Sequence, residues 1–129
     1  MVLFDECEST CISAPIDVTA LLTGVGSTMS ALGEAGAAAG ADVAVVPYSP
    51  YTDGVVSLFM SATGSIDVGA GGTGLAFVED DPARAPSGTT VVIAVEEVGA
   101  GAVLLMADTD IFAGSLAEED NGILLGNLP

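Results

Sequence analysis

The sequence predicts an α/β domain: a small, partly parallel sheet flanked by helices, followed by an antiparallel, hairpin-rich second half. Three observations lead there. An apolar stretch at 2–4, a helical stretch and the β-branched run "ADVAVVP" (41–47) succeed one another as strand, helix, strand, the opening of a domain with parallel strands. From residue 55 onward, short apolar runs alternate with glycine-rich turns, as hairpins do. Half of the 129 residues are apolar and the mean hydropathy is +0.67, which rules out disorder by composition. A chain of this length holds one hydrophobic core, so 1–129 reads as a single domain, whole or cut from a larger protein. With aromatics at 5% and no Trp, that core is expected from Val, Leu, Ile and Ala.

Each element has its own signal. The run at 2–4 breaks into Asp5 and Glu6, as a buried strand does at a polar edge. The stretch to Pro15 reads as loop, after which Asp17 caps a helical turn over 18–22, interrupted by Gly24 and Gly26. Ser27 or Thr28 is expected to cap a second helix over 29–39, whose Met29, Leu32, Ala35 and Gly36 offer a small apolar face, with Gly40 as its stop. "YSPYTDG" (48–54) is a turn-rich linker. Strand-like runs follow at 55–63, 65–70, 73–79 and 89–98, and "VGAGA" (98–102) marks a tight hairpin into a strand over 102–107. The last stretch, 120–128, reads as a short helix capped by Asp120 or Asn121 and weakened by Gly122 and Gly126. "GAGGTG" (69–74) invites a phosphate-loop reading, but no Lys follows and the next residues are strand-like, so it reads as a turn.

The charge balance is extreme: 18 acids against one cation, Arg84, for a net charge of −17. Self-repulsion of that size destabilises a compact chain at low salt, and concentrated salt screens it. Acids spread along the whole chain therefore read as adaptation to high salt, pointing to a halophilic source. Nucleic acid and anionic membrane surfaces are excluded as partners, because both require Lys and Arg. No apolar stretch has the length of a transmembrane helix. No cationic n-region opens the chain, which reads as cytoplasmic as given and as cell-surface if it is part of a larger precursor. Cys7 and Cys11 cannot complete a zinc site without further ligands; a short-loop disulfide and two free thiols both fit, and neighbouring acids disfavour a redox-active pair.

The best site candidate is a set of oxygen donors. Asp108 and Asp110 flank a turn at the C-terminal end of a strand, where open parallel sheets place their ligand crevices. Asp5 and Glu6 end the first strand, and Asp120 with Asn121 could close the cluster around Ca²⁺ or Mg²⁺, hard cations that take oxygen ligands. The competing reading is that these groups cap turns or are solvated, as Glu118 and Glu119 are expected to be in so acidic a chain.

A further pattern joins the two ends of the chain. Gly99 and Gly101 precede the strand at 103–106, then "ADTDIF" (107–112), Asp120-Asn121 and Asn127-Leu128; "VLFDE" (2–6) and "ALGEAGAAAGADVAVV" (31–46) open the chain. This resembles α/β domains related to class I glutamine amidotransferases, as found in bacterial gliding-motility and ABC-transport-associated proteins, intraflagellar transport proteins and haloarchaeal surface proteins. The resemblance implies an α/β fold and a place in a surface or transport-associated complex. The family's His after the opening Asp-Glu is absent, since the chain contains no His. A nucleophile therefore has no usual base, which argues against amidotransferase or hydrolase chemistry of that type. The expected function is a non-catalytic binding or assembly module with a protein partner or self-association. The 17 glycines leave few large side chains for a core, so some apolar surface is expected to be covered by a neighbour. The alternative is a divalent-metal-binding or metal-dependent hydrolase domain using the acidic cluster.

Overall fold

Helix α1 (Pro15–Gly24) begins with Pro at its first position, where the missing N–H costs nothing, and carries Asp17 in its first turn, favourable to the helix dipole. Val18 and Leu22, one turn apart, are buried, while Leu21 remains half exposed. The helix stops in a paired-hydrogen-bond cap: Ser27 N donates to Leu22 O (2.9 Å) and Gly26 N to Thr23 O (3.1 Å). That cap needs a left-handed residue, and Gly26 supplies it at φ +87. The computed structural model describes residues 1–3, 15–34, 41–45, 49–60, 64–79, 89–108, 111–112 and 115–128.

The other elements are β1 (Val2–Leu3), β2 (Ser30–Glu34), β3 (Ala41–Val45), β4 (Ser57–Met60), β5 (Gly64–Asp67), β6 (Gly72–Glu79), β7 (Thr89–Val98), β8 (Gly101–Met106) and α2 (Asn121–Asn127). Six strands form one sheet in the order β1-β8-β7-β6-β3-β4, and β2 pairs with β5 in a second. Helix and strand are thus mixed, with strands predominating. Pairing is antiparallel except where Val2 and Leu3 run parallel to Leu105 and Met106. Helix α1 packs on β2, and β5 lies against β7, so the small sheet and α1 cover part of the large one.

Two expectations are corrected. The first is the helix over 29–39: residues 30–34 are strand β2, registered Ala31 to Ile66 and Leu32 to Ser65. Ala, Leu and Glu favour helix, but Met29 and Ala31 are buried while Leu32 is exposed, a period of two that strand pairing satisfies. Tertiary hydrogen bonding outweighs propensity here. The second is the strand–helix–strand unit with parallel strands: β3 lies between β6 and β4 and is antiparallel to both, separated from β1 by three strands. The hairpin half follows expectation, with β7 spanning 89–98 and Gly99 (φ +62) turning the chain into β8.

The centre of the core is β7, where Val92, Ile93 and Ala94 are all fully buried in succession, so both faces of the sheet are covered there. Leu22, Leu58, Leu105, Ile111 and Leu124 join it, together with Met29, Met60 and Met106. Methionines thus fill space that a chain without Trp leaves irregular, a contribution absent from the expected Val, Leu, Ile and Ala list. Among the described residues no helix is long and apolar enough to cross a membrane.

The free edge of β2 is closed by a side chain. Thr19 Oγ1 accepts from Ala31 N (3.0 Å) and donates to Ala31 O (3.2 Å), so one hydroxyl replaces a neighbouring strand. Thr19→Val keeps the shape and leaves both backbone groups without that partner. It is expected to lower unfolding free energy by about 1–3 kcal/mol in denaturant titrations at fixed molar salt. Thr23→Val, which removes only an exposed hydroxyl bonded to Thr19 O, should cost less than about 0.5 kcal/mol.

Candidate functional site

Strand alternation sends the neighbouring acids Glu96 and Glu97 to opposite faces of β7. Glu96 is buried and Glu97 exposed. Around Glu96 converge the end of α1, the start of β2 and the turn before β6. Ser27 Oγ donates to its Oε2 (2.5 Å), as do Thr28 N (2.8 Å) and Met29 N (3.4 Å), and Thr28 Oγ1 donates to Oε1 (2.8 Å). Gly71 N in turn donates to Thr28 Oγ1 (3.0 Å). The Ser27 hydroxyl above all, then the Thr28 hydroxyl and the two backbone amides, hold the carboxyl below its ordinary value of 4.5, against burial acting in the other direction.

This arrangement explains Gly69 and Gly71. A Cβ on Gly71 would lie 2.3 Å from Glu96 Oε1, and one on Gly69 2.2 Å from Thr28 O. Gly69 also takes φ +61. The segment is a turn between strands, as expected, and its glycines let it close over a buried carboxylate. Ser27 and Thr28, expected to cap a helix, instead solvate Glu96. Nothing in the composition marks Glu96, but two adjacent acids inside an apolar strand signal that one of them faces the covered side.

The expected oxygen cluster divides. Asp108 is buried at the end of β8 and engaged in an interaction of its own. Leu3, two residues before Asp5 in the sequence, is paired with Met106, two residues before Asp108. Asp5, Glu6 and Asp110, like Cys7 and Cys11, lie outside the described residues. Among the described residues no three Asp, Glu, Cys or His side chains are grouped to hold a metal ion.

Asp120 and Asn121 close the edge of β4. Asp120 Oδ2 accepts from Val56 N (2.7 Å) and Ser57 N (3.3 Å), and Asp120 N donates to Ser57 O (3.2 Å). Asn121, fully buried, accepts from Phe59 N (3.1 Å) at Oδ1 and donates from Nδ2 to Phe59 O (2.9 Å) and Ser115 O (2.8 Å). Its carboxamide thus pairs with Phe59 as a strand residue would. Asp120 occupies the N-cap position of α2 without a side-chain capping bond, because its carboxylate is turned to the strand. Glu119, expected to be part of a solvated coat, sits in a left-handed turn (φ 42) and accepts from Ser57 Oγ (2.9 Å). Glu118 is exposed.

Two surfaces remain open. A groove of about 520 Å³ runs over the face of β6, β7 and β8 that carries Thr73, Val95, Glu97 and Ala102, bounded by Ser49, Pro50 and Tyr51. At the far end of the chain, α2 buries Leu124 and Asn121 but exposes Ile123 and Leu125. Between them on its outer side stand Gly122 and Gly126, and a Cβ on Gly126 would meet nothing within 4 Å.

Glu96→Gln should lower stability at neutral pH by about 2 kcal/mol, since an amide cannot accept from all four donors. A depressed folded-state pKa means the stabilisation is complete above the unfolded value and lost as pH falls below about 4.5 through the folded value. The wild-type-minus-variant difference in denaturant titrations should therefore shrink across that window. Asn121→Ala removes three hydrogen bonds at a buried site and should cost about 2–4 kcal/mol. Light scattering should also show larger species once the β4 edge is open.

Comparison of the chain with protein-family models, curated proteins and solved structures yields no match.

Proposed function

We propose that this domain is a non-catalytic assembly module of a salt-adapted organism, docking through the outer side of α2. The observation that supports this reading is the combination of Gly126, where a Cβ would meet nothing within 4 Å, and the neighbouring Gly122, where one would touch only Leu116 O at 3.5 Å, with exposed Ile123 and Leu125 on the two flanks. Glycines four apart let a second backbone approach closely, and flanking aliphatic side chains gain contact only when something covers them. Val56, 81% exposed, extends the apolar surface beside Asp120, whose carboxylate accepts the Val56 N–H. In a chain with 18 acids available for its surface, the exposed Ile123 and Leu125 of α2, with Val56, form one of its aliphatic patches, and a patch of this kind marks a contact. No described group of nucleophile and base accompanies them, and the buried acid Glu96 is saturated by hydrogen bonds that hold the fold together.

Ionic strength sets the conditions for this assembly. A chain of charge −17 repels its own copies, and molar salt both screens that repulsion and strengthens apolar contact. Light scattering in molar salt is expected to find a dimer or larger species that dissociates as salt is lowered. Ile123→Gln combined with Gly126→Gln should give a monomer in molar salt with Tm within a few degrees of wild type, because neither side chain is part of the core. A wild-type monomer at every salt concentration, or a variant that associates as wild type does, would defeat self-association through α2.

A further inference from the structure

We infer that the groove across β6, β7 and β8 is a binding site for a small organic cation: an ammonium or guanidinium group carried on an apolar body. The inference is independent of the assembly reading, since the groove and the outer side of α2 share no residue.

The groove is lined by both aliphatic and polar side chains. Leu75, 3% exposed, and the half-buried Val95 form an aliphatic floor, with Pro50 and the half-buried Tyr51 alongside. Its volume of about 520 Å³ falls within the range of small-molecule sites, roughly 300–1,000 Å³. The polar side chains of the lining include Ser49, Thr73 and Glu97, its one carboxylate. Among the described residues, neither the Glu97 carboxylate nor the Thr73 hydroxyl has a protein hydrogen-bond partner. Glu96, one residue earlier on the opposite face, is saturated by four donors, so the two acids have opposite needs. The described residues hold no Lys or Arg. A cationic group in the groove would give the exposed Glu97 a counter-charge that no described side chain provides. The aliphatic floor separates the expected ligand from a bare metal ion, which needs several oxygen donors, and from an anion, which the net charge repels.

The probe is phenethylammonium, with neutral 2-phenylethanol as its uncharged counterpart, titrated into the full ¹⁵N-labelled chain at the lowest KCl concentration that keeps it folded, where an exposed ion pair is least screened, and followed by amide chemical shifts. Shifts should concentrate on residues 49, 51, 71–75, 95–97 and 102. One exposed ion pair contributes at most about 1 kcal/mol, so Glu97→Gln should weaken phenethylammonium about fivefold. Glu118→Gln, an exposed acid outside the groove, should leave it unchanged, and 2-phenylethanol should bind wild type as weakly as phenethylammonium binds Glu97→Gln. Shifts scattered over acids around the whole surface, equal effects of the two substitutions, or equal binding of the two probes would each overturn the proposal.

Discussion

The structure depends on how a buried carboxylate is held in a chain that has almost no cations. Glu96, directly or through Thr28, joins four parts of the fold: the end of α1, the start of β2, the glycine turn before β6, and central strand β7. An ion pair is not the solution here. Two hydroxyls and two backbone amides surround the charge, and the glycines of the turn are what remains possible once the carboxylate and Thr28 occupy the space. Hydrogen bonds from neutral donors at short range are far less sensitive to ionic strength than a surface ion pair. A buried acid fixed this way keeps its partners at salt concentrations that would screen a Lys–Glu bridge.

The same logic governs the edges of the sheets. Thr19 serves β2 with one hydroxyl, and Asn121 serves β4 with one carboxamide. Asp120 adds a carboxylate to backbone amides, a further case of an acid satisfied by neutral donors. Short polar side chains reach from a helix to a strand edge, close it, and leave the acidic exterior otherwise free for solvent. Aliphatic side chains stay uncovered on the outer side of α2 and also at Leu21, Val25 and Leu32, while in the groove Leu75 is buried and Val95 half-buried.

Much of the second half was legible in the sequence because its signals are local. Alternating apolar runs and the glycines at 99 and 101 define β7, β8 and their turn without reference to anything distant. The first half depends on partners far along the chain. Residues 30–34 have the composition of a helix and become a strand because β5 and Thr19 satisfy their backbone. Asp120 and Asn121 stand out in the sequence as a polar pair, yet their partners lie 62–64 residues away, so a ligand set and an edge closure look alike beforehand. Glu96 is hidden for the opposite reason: one acid among 18 carries no composition signal, and only its position beside Glu97 in a covered strand distinguishes it.

The closure of β4 also has an order in time. Its partners, Asp120 and Asn121, are synthesised after every strand of both sheets. While the chain is being made, β4 can pair with β3 and the hairpins can form, but the outer edge of β4 has no carboxamide to meet Phe59 until the C-terminal helix leaves the ribosome. The growing polypeptide therefore carries an adhesive edge over the 62 residues that separate Phe59 from Asn121. Codon usage that speeds translation of the final stretch would shorten that exposure, whereas ribosomes stalled just before residue 120 would hold neighbouring nascent chains in the state best able to join edge to edge.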